Sequence, residues 1–185
     1  MRKRLTHLAA LLSRHRLGIT TSEYRTILDF VNKGRILLLF YDPSIEYNEI
    51  PALNAPVNSL AKYWGLHFGK GYLYNQDDNY GIYRNIYIRE FENKTLSEGL
   101  ESLVFLTSTY LHPTDSDAGY TSPGTYNSVS ERTQRYAPFA VLEKGNGTVA
   151  CFGDITWMKE PYIYLEDNME LLMNLVDHIR AADVS

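Results

Sequence analysis

Apolar and polar positions fall in blocks along the chain, and the period of each block predicts an element. In residues 1–17, Leu5, Leu8, Leu11 and Leu12 recur at spacings of three and four among Arg2, Lys3, Arg4, Arg14 and Arg16, which predicts a basic amphipathic helix. Residues 20–33 predict a second helix. Thr20, Thr21 or Ser22 can cap it, Glu23 suits its first turn, and Ile27, Leu28, Phe30 and Val31 form its apolar stripe. Gly34 suits the left-handed residue that ends it. The run Ile36–Tyr41 has no polar position at all, and predicts a strand buried on both faces. A polar loop with Pro43, Pro51 and Pro56 follows. Residues 57–66 predict a short helix ending at Gly65, and 67–74 a strand. After the turn cluster Asn75–Asn79 come a short strand at 85–90, a helical turn at 95–100 and an apolar strand at 103–107. Residues 111–136 lack apolar periodicity and read as one long loop, which in a compact domain is usually functional or mobile. Strands 139–143 and 148–152 flank Lys144-Gly145-Asn146-Gly147, a hairpin signature. The last helix opens at Glu166-Asp167-Asn168 and carries Leu171, Leu172, Leu175, Val176 and Ile179.

This order predicts an α/β fold. Its form would be a three-layer sandwich with a mostly parallel, flavodoxin-like sheet and an antiparallel hairpin near the C-terminus. Residues 1–18 stand apart as a basic amphipathic segment and residues 19–185 form a single domain. The segment reads as a surface helix or frayed tail, as a membrane-surface or targeting helix, or as an altered start.

Charge sharpens this division. Residues 1–35 hold eight Lys/Arg against two acids, whereas residues 36–185 hold ten basic and twenty acidic residues. An acidic body argues against nucleic acid as a partner. No apolar run is long enough to span a bilayer, and a cytoplasmic setting is expected. One cysteine, Cys151, excludes an internal disulfide and a multi-cysteine zinc site. His67, His112 and His178 are scattered, so no metal is expected, and no glycine-rich phosphate loop or other cofactor signature is present.

The segment Thr21-Ser-Glu-Tyr…Ile27-Leu-Asp-Phe-Val-Asn-Lys-Gly34-Arg-Ile-Leu-Leu-Leu-Phe-Tyr-Asp42-Pro resembles the helix–glycine–strand–Asp segment of class I glutamine amidotransferase-like domains. Asn58-Ser-Leu-Ala-Lys-Tyr-Trp-Gly65-Leu and Gly147-Thr-Val-Ala-Cys-Phe-Gly-Asp154, followed by Asp167-Asn168 and Asn174-Leu-Val, extend the resemblance over about residues 19–181. The branch it points to includes gliding-motility and ABC-transport auxiliary proteins, intraflagellar-transport proteins and ThuA-like proteins. The resemblance implies the fold without the chemistry. The family's nucleophilic cysteine belongs on the turn after a strand, where this chain has Asp42-Pro43-Ser44. It also implies one or two strands before the helix at 22–33, which residues 1–17 do not provide by periodicity.

In open parallel sheets ligands sit beyond the carboxyl ends of the strands. That rule nominates Tyr41, Asp42 and Ser44, then Thr107 and Ser108, and finally Asp154. Asp42 and Asp154 read either as turn formers or as a hydrolytic carboxylate pair. His112, with Asp115 and Asp117 close by, could activate Ser108 or Ser44, or could be a solvated loop histidine. Tyr72, Tyr74, Tyr80, Tyr83, Tyr87 and Phe91 crowd into twenty residues beside Asn75, Asp77, Asp78 and Asn79. Such a cluster suits a sugar site, a protein interface or partly exposed strands. The expected function is a non-catalytic binding or assembly domain with Tyr41, Asp42, Ser44, Tyr74, Asn75, Thr107, Ser108 and Asp154 at its site. Its partner would be a protein, a second copy, or a small polar or carbohydrate ligand. The alternative is a hydrolase using Asp42, Asp154 or His112.

Overall fold

A computed structural model describes residues 8–12, 20–41, 43, 57–92, 96–112 and 117–182. The chain opens with strand β1, Leu8–Leu12, where the spacing predicts a helix. Leu-Ala-Ala-Leu-Leu is a continuous apolar run, and a run that short fits a buried strand as well as a helix face. Helix α1, Thr21–Asn32, follows with a full capping box: the Glu23 N–H donates to Thr20 Oγ1 at 3.3 Å, and the Thr20 N–H donates to Glu23 Oε2 at 3.0 Å. Gly34, with φ +81°, turns the chain into β2, Ile36–Phe40, all of it buried.

Helix α2, Asn58–Ala61, runs into a single 3₁₀ turn that ends at left-handed Gly65, as the sequence predicts. The strand predicted at 67–74 is instead split. β3 is His67–Phe68 and β4 is Leu73–Tyr74, and they belong to different two-stranded ribbons. β5 is Asn85–Phe91 and β6 is Leu103–Leu106. The supposed loop 111–136 contains β7, Leu111–His112, β8, Asp117–Thr121, and β9, Tyr126–Asn127. The hairpin is β10, Phe139–Lys144, with β11, Gly147–Phe152, and helix α3 is Asn168–Ala182.

The main sheet has seven strands in the order β1-β2-β11-β10-β8-β5-β6. β2 lies between parallel neighbours, with Leu8 and Thr148 both opposite Ile36. The other four pairings are antiparallel. The expected mostly parallel three-layer sandwich is therefore wrong: the sheet is mixed and antiparallel pairs dominate it. The physical reason is β8. Its Asp-Ala-Gly-Tyr-Thr sequence has too few apolar residues to show a period, yet it is an interior strand, antiparallel to both β10 and β5. The Phe139 ring lies where a Cβ on Gly119 would stand, so a small residue is what the packing there requires.

β2 explains its own composition. Ile36, Leu38 and Phe40 face one hydrophobic cluster with Phe152, Phe139, Trp157 and Leu171 of α3. Leu37 and Leu39 face another with Val31 of α1, Leu60, Trp64, Phe68 and Cys151. Every position is inside one core or the other, and no polar alternation can arise.

Candidate functional site

Among the described residues, the strand ends do not form an open site. Asp154, just past β11, is fully buried. Its Oδ2 accepts the Leu106 N–H at 2.8 Å and its Oδ1 accepts the Thr156 N–H at 2.6 Å. It thus joins the ends of β11 and β6 and holds the first N–H of a 3₁₀ turn at Thr156–Met158. Asn168 and Asp167 continue the same edge. The Val104 N–H donates to Asn168 Oδ1 at 3.2 Å, and Asn168 Nδ2 donates back to the Val104 carbonyl at 2.9 Å. The Ser102 N–H donates to Asp167 Oδ2 at 2.9 Å. Residues 102, 104 and 106 share one side of β6, so side chains stand in for a neighbouring strand along this edge.

Ser108 is also fully buried, and its hydroxyl donates to the Thr109 carbonyl at 2.8 Å. Thr107 has a left-handed backbone, φ 54°, and its N–H donates to the Arg84 carbonyl at 2.9 Å. Tyr41 is buried at the end of β2, its N–H donating to the Phe152 carbonyl at 3.1 Å and its ring tilted against Phe68. Asp42, Ser44 and Asp115 lie outside the described residues. His112 is exposed on β7, directly opposite His67 on β3, with ring centroids 6.1 Å apart. Partial burial and the facing His112 lower the pKa of His67. Cys151 lies in the core, where burial drives its thiol strongly toward the protonated form.

Tyr74 and Asn75 have a different setting. β4 pairs antiparallel with β9, setting Tyr74 opposite Tyr126 and Leu73 opposite Asn127. A buried asparagine locks each strand. Asn75 Oδ1 accepts the N–H groups of Asp77 and Asp78, and its Nδ2 donates to the Pro123 carbonyl. Asn127 Oδ1 accepts those of Val129 and Ser130, and its Nδ2 donates to the Lys70 carbonyl. Two matching turns thereby hold the two walls of an open groove of about 620 Å³. Tyr72, Tyr74, Gln76, Asn79, Gly81 and Tyr83 line one side, with Ser128 and Glu131 opposite.

The rings in it are ordered. Tyr74 stacks on Tyr126 at 5.6 Å and meets Tyr83 edge-on at 6.0 Å and Tyr72 at 6.3 Å. Next in sequence to residues of the groove, Ile82 is 56% exposed and Val129 63%, and Tyr83 and Tyr126 are exposed as well. Glu131 holds its carboxylate here from a left-handed backbone, φ 51°, a conformation that costs a non-glycine residue energy and clusters at functional sites.

The tyrosine crowding is visible in the sequence, but the structure divides it. Tyr72, Tyr74 and Tyr83 line the groove, while Tyr80 and Tyr87 pair with one another at 6.4 Å. The second wall, from Tyr126 to Glu131, is missed by sequence reasoning because it lies in the segment read as a loop. A turn signal was available in Asn127-Ser128-Val129-Ser130.

No protein-family model matches the chain, and no curated protein matches its sequence. Among solved structures, the N-terminal domain of mmIFT52 aligns with a TM-score of 0.73 and 14% identity, over 94% of this chain and 76% of that one. A cytoplasmic protein from Salmonella typhimurium LT2 aligns with a TM-score of 0.51 and 12% identity, over 84% of this chain and 60% of that one. The β-galactosidase from Rahnella sp. R3 gives a TM-score of 0.50 and 11% identity, over 94% of this chain but 22% of the enzyme. At these identities the likenesses show a shared fold alone. The intraflagellar-transport member of the branch named by the sequence resemblance is among them, whereas no match supports an amidotransferase family.

Proposed function

We propose that this domain is a non-catalytic binding or assembly module whose recognition surface is the tyrosine groove. The observation that carries this reading is the framing of that groove: two locked turns flank the rings of Tyr72, Tyr74 and Tyr83 and the Glu131 carboxylate, with Tyr126 stacked on Tyr74 and Arg84 over the Tyr72 and Tyr83 rings. Tyrosine and arginine dominate the energetics of protein recognition, and a rigid wall spares the entropy of ordering them. Asp154 and Ser108, which the hydrolase alternative would use, are engaged by backbone groups instead. Kinship with amidotransferase-like domains rests on the order of the sequence segments, and a cytoplasmic setting on the likeness to a protein so described.

The test is retention of the whole chain on arrays of synthetic peptides and of saccharides, compared with Tyr83→Ala. Retention lost with Tyr83→Ala is the expected result. Steady turnover of an ester, amide or glycoside that disappears in Asp42→Asn would overturn the reading.

A further inference from the structure

The chemistry of the groove narrows what it can hold, on the premise that it is the recognition surface. Three arginines of the described chain stand over tyrosine rings. Arg89 lies 3.7 Å from the Tyr87 centroid and pairs with Asp78; Arg135 lies 4.2 Å from the Tyr120 centroid and pairs with Glu90. Arg84 differs on both counts. Its guanidinium carbon is 5.5 Å from the Tyr72 ring and 5.5 Å from the Tyr83 ring, and no carboxylate pairs with it among the described residues. Two ring faces therefore converge on one point, and the cation there is loosely held and exposed.

Glu131 also lines the groove, exposed and without an ion pair among the described residues. Its left-handed backbone holds it at this wall. Converging tyrosine faces and a carboxylate lining one groove are surroundings that attract an organic cation. The hydrogen-bonding groups narrow the class further. A bare ammonium needs three acceptors, but the oxygens of Asn75 and Asn127 each already accept two backbone N–H groups. The groove offers a cation ring faces and one carboxylate, beside the polar side chains of Gln76, Asn79 and Ser128, and the rings and the carboxylate are what a methylated ammonium needs.

We propose that the groove binds a methylated ammonium group against Tyr72, Tyr74 and Tyr83, with Glu131 as its counter-charge, and that Arg84 competes for the same place and swings out to admit it.

The experiment titrates choline against its neutral isostere 3,3-dimethylbutan-1-ol, following the ligand methyl protons by NMR. A second arm compares N-acetyl-trimethyllysine amide with its unmethylated form, which separates a choline-type head group from a modified lysine. Binding to ring faces shifts the methyl signal upfield. The expected result is that at least one methylated cation binds ten-fold or more tighter than its control. Glu131→Gln should weaken binding about three- to five-fold, and Arg84→Gln should tighten it by a similar factor, while Arg84→Lys leaves it near the unaltered value. Thermal melting checks that each variant is folded. Equal affinity of each methylated cation and its own control, or unchanged or weaker binding in Arg84→Gln, would overturn the proposal. If no methylated cation binds but array retention still falls with Tyr83→Ala, this inference fails and the wider reading stands. If array retention is absent as well, both fail.

Discussion

The β6 edge of the sheet and the tyrosine groove draw on similar residue types and use them in opposite directions. Along β6, Asp154, Asp167 and Asn168 turn inward, and their oxygens accept backbone N–H groups that would otherwise be open. In the groove, Asn75 and Asn127 do the same work a layer below the surface, which leaves the rings and Glu131 facing outward. Polar side chains near a strand end are therefore no guide to binding until their partners are known. A carboxylate with two backbone donors is part of the scaffold, whereas one held without an ion pair on a strained backbone is available to a ligand.

Substitutions sharpen this contrast. The largest effect belongs to Asp154→Ala, which deletes the acceptor of two backbone donors and should lower stability by about 3 kcal/mol in denaturant unfolding. Asn168→Ala removes both halves of the bond to Val104 and should cost about 2 kcal/mol by the same measurement. Either variant unfolding like the unaltered protein would remove the distinction. In the groove the sign reverses: Glu131→Gly relieves the left-handed strain and should raise stability by about 0.5–1 kcal/mol while weakening ligand binding.

The smallest effect is in the pH dependence of stability. The lowered pKa of His67 means that the unfolded chain takes up its proton first, from about pH 6.5 downward. Stability should therefore decline on acidification below that value, until folded His67 also protonates. His67→Gln should flatten this part of the urea-unfolding profile, and an unchanged slope would show that the His67–His112 pair has no such influence.

How much of this was legible in the sequence depended on whether a residue's surroundings are local. Thr20, Glu23 and Gly34 mark α1 because capping acts within a few residues. Ile36–Phe40 marks a doubly buried strand because all five positions are apolar. Strand direction left no such trace, because a strand buried on both faces has the same composition beside parallel or antiparallel neighbours. β1 was hidden by the helix-like spacing of its leucines, and β8 by the alanine and glycine that its packing demands. At the site, Tyr72–Tyr83 stood out as a cluster, but Asp154 and Ser108 looked equally available. What distinguished them was a bond to residues 48 positions away for Asp154, and burial for Ser108.

Those long separations also set an order of events during synthesis. The side chains that close the β6 edge lie 48 to 65 residues downstream of the groups they bond. While the chain emerges, β6 can pair with β5 well before Asp154, Asp167 and Asn168 leave the ribosome. Until then its outer edge presents open backbone groups, a template for pairing with other chains. The emergence of Asp154 to Asn168 therefore does more than lead into a helix: it closes the β6 edge and ends the period in which that edge is open to misassembly.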